Sequence, residues 1–218
     1  MELDKDLETL DQEENAQEET SGKPKGFKLV ELFDWIDTIV IALVSVVIIF
    51  SLFFRIATIV GPSMQNTLYS GERVIISNFF YKPQYGDIVV VSRNTNNSVD
   101  KLDVSREPII KRVIATEGQY VDIDFETGKV YVGADLSNMT ELDEPYTNGP
   151  TNLSYDIEFP VYVKEGHIFV LGDNRNNSTD SRSSAIGDLG LIDERYVLGK
   201  AIYRVWPFDA IGGLYNNE

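Results

Sequence analysis

The stretch from Thr38 to Phe54, TIVIALVSVVIIFSLFF, holds 17 residues without a single charge, and it constrains this chain more than any other feature. At about 1.5 Å per helical residue it covers about 25 Å of a hydrocarbon core roughly 30 Å thick. Phe33, Trp35 and Ile36 before it, and Ile56 with the aliphatic stem of Arg55 after it, complete a span by interfacial anchoring and snorkelling. A surface helix of a soluble core would carry a polar stripe, and this run is apolar all round. It also exceeds the roughly 7 to 15 apolar residues of a cleaved secretory signal, and Phe54-Arg55-Ile56-Ala57-Thr58 offers no small-x-small cleavage site. The sequence therefore predicts a retained transmembrane helix over residues 33–56.

Orientation follows the basic residues close to a span. Lys23, Lys25 and Lys28 precede it, while only Arg55 follows before Arg73, so the amino terminus is expected in the cytoplasm. Residues 1–28 form an acidic tail: the first 20 alone hold nine carboxylates, one Lys and few large apolar side chains, too little to offset the entropy of ordering. Beyond the span, residues 59–218 are enough for one extracytoplasmic domain with its own core. Apolar runs of strand length recur there between turn signals: Arg73–Ser77, Asp87–Val91, Ile109–Ala115, Tyr120–Phe125, Lys129–Val132, Ile157–Val163, His167–Leu171 and Val197–Val205. Asp124 to Lys129 reads as a hairpin turn with Gly128 supplying positive φ. The expected fold is thus a mainly β domain behind one amino-terminal transmembrane helix, with Asn94–Asp103 and Gly133–Asp156 as surface connections.

Composition then removes whole classes of chemistry. With no Cys, a thiol nucleophile, a thiolate zinc site, a disulfide framework and a sortase-like transpeptidase are excluded. With one His, His167, a His-rich metal site is impossible, and any His-based triad must use that residue. It follows Lys164-Glu165-Gly166 at a strand start, a turn-capping position. The net charge of −16, from 35 acidic against 19 basic residues, argues against a nucleic-acid partner. No cofactor or metal is expected.

Three segments can carry chemistry. In Gly61-Pro62-Ser63-Met64, Gly and Pro can project Ser63 from a rigid kink beside its own backbone N–H, as a serine nucleophile needs, although the same composition is common in turns. In Ile109-Ile110-Lys111-Arg112-Val113-Ile114, apolar residues occupy both parities, so one of Lys111 and Arg112 must lie against apolar packing. A buried Lys111 is either one half of an ion pair or a neutral amine able to act as a base. The third segment, Gly172 to Arg182, has eleven residues and no aliphatic side chain; its Asx and hydroxyl groups can lock a polar loop. Arg175 stands where a calcium loop needs Asp or Asn.

Taken in order behind the anchor, Gly61-Pro62-Ser63-Met64, Gly86-Asp87-Ile88-Val89-Val90, Lys111-Arg112-Val113 and Gly172-Asp173-Asn174-Arg175 through Asp180-Ser181-Arg182 resemble the bacterial type I signal peptidases, over about residues 30–205. The single anchor and Gly61 are similar to Gram-positive members. The resemblance implies a membrane-bound endopeptidase that removes signal peptides from preproteins at small-x-small sites, close to the secretion translocon. It implies Ser63 as nucleophile, Lys111 as general base, Ser178 as the hydroxyl orienting the lysine, and an Asp180–Arg182 ion pair supporting the site. It places Met64, Val90 and Ile110 near shallow substrate pockets. Two positions depart from the family pattern: Asn66 replaces a common Pro, and Gly61 brings no hydroxyl to the oxyanion site, leaving mainly the Ser63 N–H. A self-cleaving Ser/Lys repressor-type protease and a non-catalytic membrane-anchored β module are the competing readings.

Overall fold

The computed structural model describes residues 29–92 and 108–215. The acidic tail, its three lysines and the Asn94–Asp103 connection lie outside the described residues. Helix α1, Leu29–Phe53, contains the apolar run. Its segment Leu32–Phe53 has a mean hydropathy of 2.7, and it is the one helix among the described residues long and apolar enough to cross a membrane. The helix stops short of the expected 33–56 boundary. Phe54–Thr58 forms strand β1, paired antiparallel with β2, Arg73–Ser77. Apolar composition alone does not separate helix from strand here; a paired backbone partner decides it for aromatic and β-branched residues such as Phe54 and Ile56.

The chain divides into a unit ending at Ile49 and a second from Phe50 to Glu218. The second is built from antiparallel sheets. β3 (Ile88–Val91), β4 (Ile109–Ala115), β9 (His167–Leu171), β10 (Ile192–Asp193), β11 (Val197–Trp206) and β12 (Gly212–Gly213) join β1 and β2 in the larger sheet, ordered β1-β2-β11-β3-β4-β9-β10, with β12 on β11. β5 (Tyr120–Asp124), β6 (Lys129–Gly133), β7 (Thr140–Glu141) and β8 (Val161–Tyr162) form the smaller sheet, ordered β7-β6-β5-β8.

The expected strands over 73–77, 109–115 and 167–171 match element for element, and those at 87–91, 120–125, 129–132 and 197–205 match within a residue. Ile157–Val163 does not. Pro160 lacks a backbone donor, so pairing is confined to Val161 and Tyr162. The two-residue strands β7, β10 and β12 are too short to leave a hydrophobic period. Gly133–Asp156 is more than a surface connection: it contains β7 and delivers Glu144 and Thr151 to a buried Arg175.

Strand β4 sits where three apolar clusters meet. Ile114 and Ala115 pack with Val121, Val130 and Phe169; Ile110 packs with Met64, Ile76 and Val90; Val113 packs with Val89 and Val170. That is why apolar residues occupy both parities of β4. It is also why any polar side chain on this strand must be satisfied within the protein.

Candidate active site

The turn after β1 begins at Gly61, whose φ of +86° is open to glycine and strained for other residues. Met64 and Leu68, both fully buried, root this turn in the core, while Ser63 stays half-buried at its apex. The polar loop after β9 clamps the turn from the other side. The Asn174 backbone N–H donates to the Ser63 carbonyl at 2.9 Å, and its side-chain amide donates to the Pro62 carbonyl at 3.1 Å.

Lys111 reaches the same point from the centre of β4. It is 3% exposed, and its Nζ lies 2.9 Å from Ser63 Oγ and 3.0 Å from the Ile110 carbonyl. Ser178 Oγ and the Ser63 carbonyl would stand 2.2 and 2.5 Å from a Cβ added to Gly172. Only glycine permits β9 to hand over to the loop at that point. The Ser178 hydroxyl donates to Asp180 Oδ2 at 2.7 Å. Asp180 also accepts from the Gly172 N–H and from Arg182 Nε, at 3.0 and 2.8 Å. Arg182 further donates to the carbonyls of Leu153 and Arg175.

Of Lys111 and Arg112, the sequence required at least one to be buried. Both are, on opposite sides of the strand. Arg112 makes a two-pronged pair with Asp173, at 2.8 and 2.7 Å, and donates to the Gly86 carbonyl. Its guanidinium lies 3.8 Å from the centre of the Tyr146 ring. Burial works against the Arg112 charge, but the hydrogen bonds and charge of Asp173 outweigh it and hold the group above its ordinary pKa. The Tyr146 phenol is pushed up, first by burial. Asp173 also accepts from the Thr67 hydroxyl, so this pair ties β4 and the polar loop to the turn that carries Ser63. Thr67 and Tyr146 carry no local signal of these contacts, and Gly172, legible only as the start of the polar segment, carries none of its close packing. For Arg112 and Asp173 the signal was present, as an Arg on a strand covered on both faces and a carboxylate in a loop without aliphatic side chains.

Ser63 and Lys111 open onto a cleft of about 550 Å³, whose lining includes Val90 and Ile110. Met64 is fully buried and is not part of that lining. His167 also lies off the cleft, with Nδ1 against the Glu165 carbonyl at 2.8 Å.

Residues 32–206 match the family described as signal peptidase, peptidase S26. Signal peptidase IB of Staphylococcus aureus is 34% identical over 208 residues, covering 86% of this chain and 96% of that protein. The probable chloroplastic thylakoidal processing peptidase 2 of Arabidopsis thaliana is 34% identical over 179 residues, and this match spans 44% of that longer protein. A crystal structure of a signal peptidase I from Enterococcus faecalis aligns with a TM-score of 0.40 at 25% identity, over 55% of this chain and 97% of that one. Matched over residues 32–206 and at 34% identity over most of its length, the chain belongs to the signal peptidase family, peptidase S26.

Proposed function

We propose that this protein is a membrane-anchored type I signal peptidase that cleaves preproteins after small-x-small sites, with Ser63 as nucleophile and Lys111 as general base. The observation that carries this reading is the 2.9 Å approach of the Lys111 amine to Ser63 Oγ at a site where the lysine is buried. An exposed lysine, with a pKa of about 10.4, is neutral in roughly one molecule in 2,500 at pH 7, which costs a general base about 4.6 kcal/mol. Burial of a lysine, here 3% exposed, disfavours the charged form of the amine and lowers that cost.

In the reaction, neutral Lys111 accepts the Ser63 hydroxyl proton as Oγ attacks the scissile carbonyl. The Ser63 N–H stabilises the resulting oxyanion. The protonated amine then gives its proton to the departing amine of the mature protein, leaving an acyl-enzyme. A water molecule, deprotonated by Lys111, releases the signal peptide and restores the serine. Ser178 is assigned the role of orienting the Lys111 amine, and its own hydroxyl is held by Asp180, which pairs with Arg182. Val90 and Ile110 offer an apolar wall suited to small substrate side chains.

The full-length protein in detergent micelles is expected to cleave a preprotein whose signal ends in Ala-x-Ala directly after the second Ala, as read by sequencing the new amino terminus. Leu at that last position should block cleavage. An intact Ala-x-Ala preprotein after prolonged incubation defeats the reading.

The anchor is proposed to run from a cytoplasmic amino terminus to an extracytoplasmic catalytic domain at residues 59–218, where preproteins leave the translocon. Phe53, the last residue of α1, packs edge-on against Phe79, which in turn meets Phe80, an almost fully exposed ring. Such a cluster suits the membrane interface, where aromatic rings concentrate. Protease added to intact spheroplasts should digest the domain; protection of residues 59–218 with loss of only the amino-terminal tail reverses the orientation.

A further inference from the structure

The cleft beside Ser63 carries a charge that the peptidase reading does not use. Its lining is mostly aliphatic, and Arg55 and Lys111 are the only charged residues on it among those described. In the proposed reaction Lys111 is committed to the Ser63 hydroxyl, 2.9 Å away, which leaves Arg55 as the other cationic side chain on the cleft. No carboxylate lines it among the described residues, although the chain as a whole carries −16.

Strand alternation fixes which way Arg55 leaves β1. Arg55, Ala57 and Ile59 share one side of the extended segment. Ala57 and Ile59 pack into the cluster containing Ile76, Val90 and Ile110, and Arg55 is paired across the sheet with Ile76. Arg55 therefore projects on the side of the strand that faces the cleft, and it remains exposed because the cleft is open there. Four residues of extended chain, about 13 Å at 3.3 Å each, separate it from Ile59, where the chain turns toward Ser63. A peptide extended alongside this strand brings the residue four to six positions from its scissile bond opposite the guanidinium. Arg55 also follows the last residue of α1 by two positions. The end of the cleft that it marks is thus the one nearest the anchor along the chain.

Resting on the peptidase reading, we propose that Arg55 is a specificity-determining residue that selects signal peptides bearing Asp or Glu four to six residues before the cleavage site. Its guanidinium offers a planar set of donors to a carboxylate, and a basic residue at the same place meets a like charge. A partly exposed pair of this kind corresponds to about fivefold in kcat/KM.

The test uses full-length protein in zwitterionic detergent micelles and soluble peptides ending their signal half in Ala-x-Ala. Glu, Gln or Lys is placed in turn at the fourth, fifth and sixth residue before the bond. For at least one position the wild type is expected to prefer Glu over Gln about fivefold and to disfavour Lys, and the preference should shrink as salt is raised. Arg55→Gln should remove the discrimination with the Gln peptide nearly unaffected, Arg55→Lys should keep most of it, and Arg55→Glu should reverse it in favour of Lys. Equal cleavage of all three peptides by the wild type overturns the role of Arg55 while leaving the peptidase reading intact. Absence of any cleavage overturns the peptidase reading itself. A preference that survives in Arg55→Gln overturns the assignment. So does an Arg55→Gln protein that keeps the preference but loses binding to anionic vesicles, which makes the guanidinium a lipid-phosphate anchor.

Discussion

Lys111→Arg is expected to give a folded protein whose kcat/KM falls by about a thousandfold or more, and Ser63→Ala to fall at least as far. The arginine substitution is the sharper of the two because it separates two uses of a buried cation. Arginine keeps the positive charge and much of the aliphatic stem, so an ion-pair role for residue 111 survives the change. A base role does not, since the guanidinium holds its proton throughout the accessible pH range. Nucleophile and base act on one proton, so the Ser63→Ala, Lys111→Arg double variant should be no slower than the worse single variant. The wild-type rate should rise with pH as the lysine amine loses its proton, then level. His167→Ala should leave the profile unchanged, because that ring lies off the cleft. A folded Lys111→Arg enzyme within tenfold of wild type sinks the dyad.

Much of this site was legible because its key residues break local patterns. Lys111 and Arg112 interrupt a strand that is otherwise apolar on both parities, and a strand covered on both faces obliges such residues to find partners inside. The polar run from Gly172 to Arg182 announces a locked loop by lacking aliphatic side chains. What stayed hidden depends on distant chain segments. Nothing in Thr67 or Tyr146 signals that each meets the Arg112–Asp173 pair, as those contacts exist only once the turn and the 133–156 connection fold against β4. Gly172 reads as an ordinary loop glycine until Ser178 and Ser63 are seen to occupy the space of its missing side chain. The end of α1 was misjudged for a related reason. Phe54 and Ile56 suit a membrane helix and a strand equally well, and the register with Arg73–Ser77 that decides between them is not a local property. The resemblance implied Met64 near a substrate pocket; its side chain is fully buried in the cluster that roots the turn.

The largest stability effect is expected at the ion pair beneath Ser178. Asp180 and Arg182 are both 0% exposed, and their side-chain polar atoms are met by one another, Ser178, the Gly172 N–H and backbone carbonyls. Arg182→Met removes the guanidinium and leaves a buried carboxylate with Ser178 and the Gly172 N–H as donors, while the carbonyls of Leu153 and Arg175 lose theirs. Breaking one side of such a pair costs about 3 to 5 kcal/mol, far more than the pair contributes over an apolar replacement. Urea denaturation of the full-length protein in micelles, followed by circular dichroism, should show the lower midpoint. The companion double variant Asp180→Leu, Arg182→Met removes both charges together and should recover part of the loss, because no uncompensated charge remains. Arg182→Lys should not substitute for the native residue, since one ammonium cannot reach the carboxylate and the carbonyls of Leu153, Arg175 and Ser178 at the angles the planar fork provides. Lys129 and Glu141 form the contrasting case: both are about half exposed, and Lys129→Ala should barely move the midpoint. An Arg182→Met protein as stable as the wild type would mean that the polar loop is held by its backbone hydrogen bonds alone, and that the ion pair is dispensable to the position of Ser178.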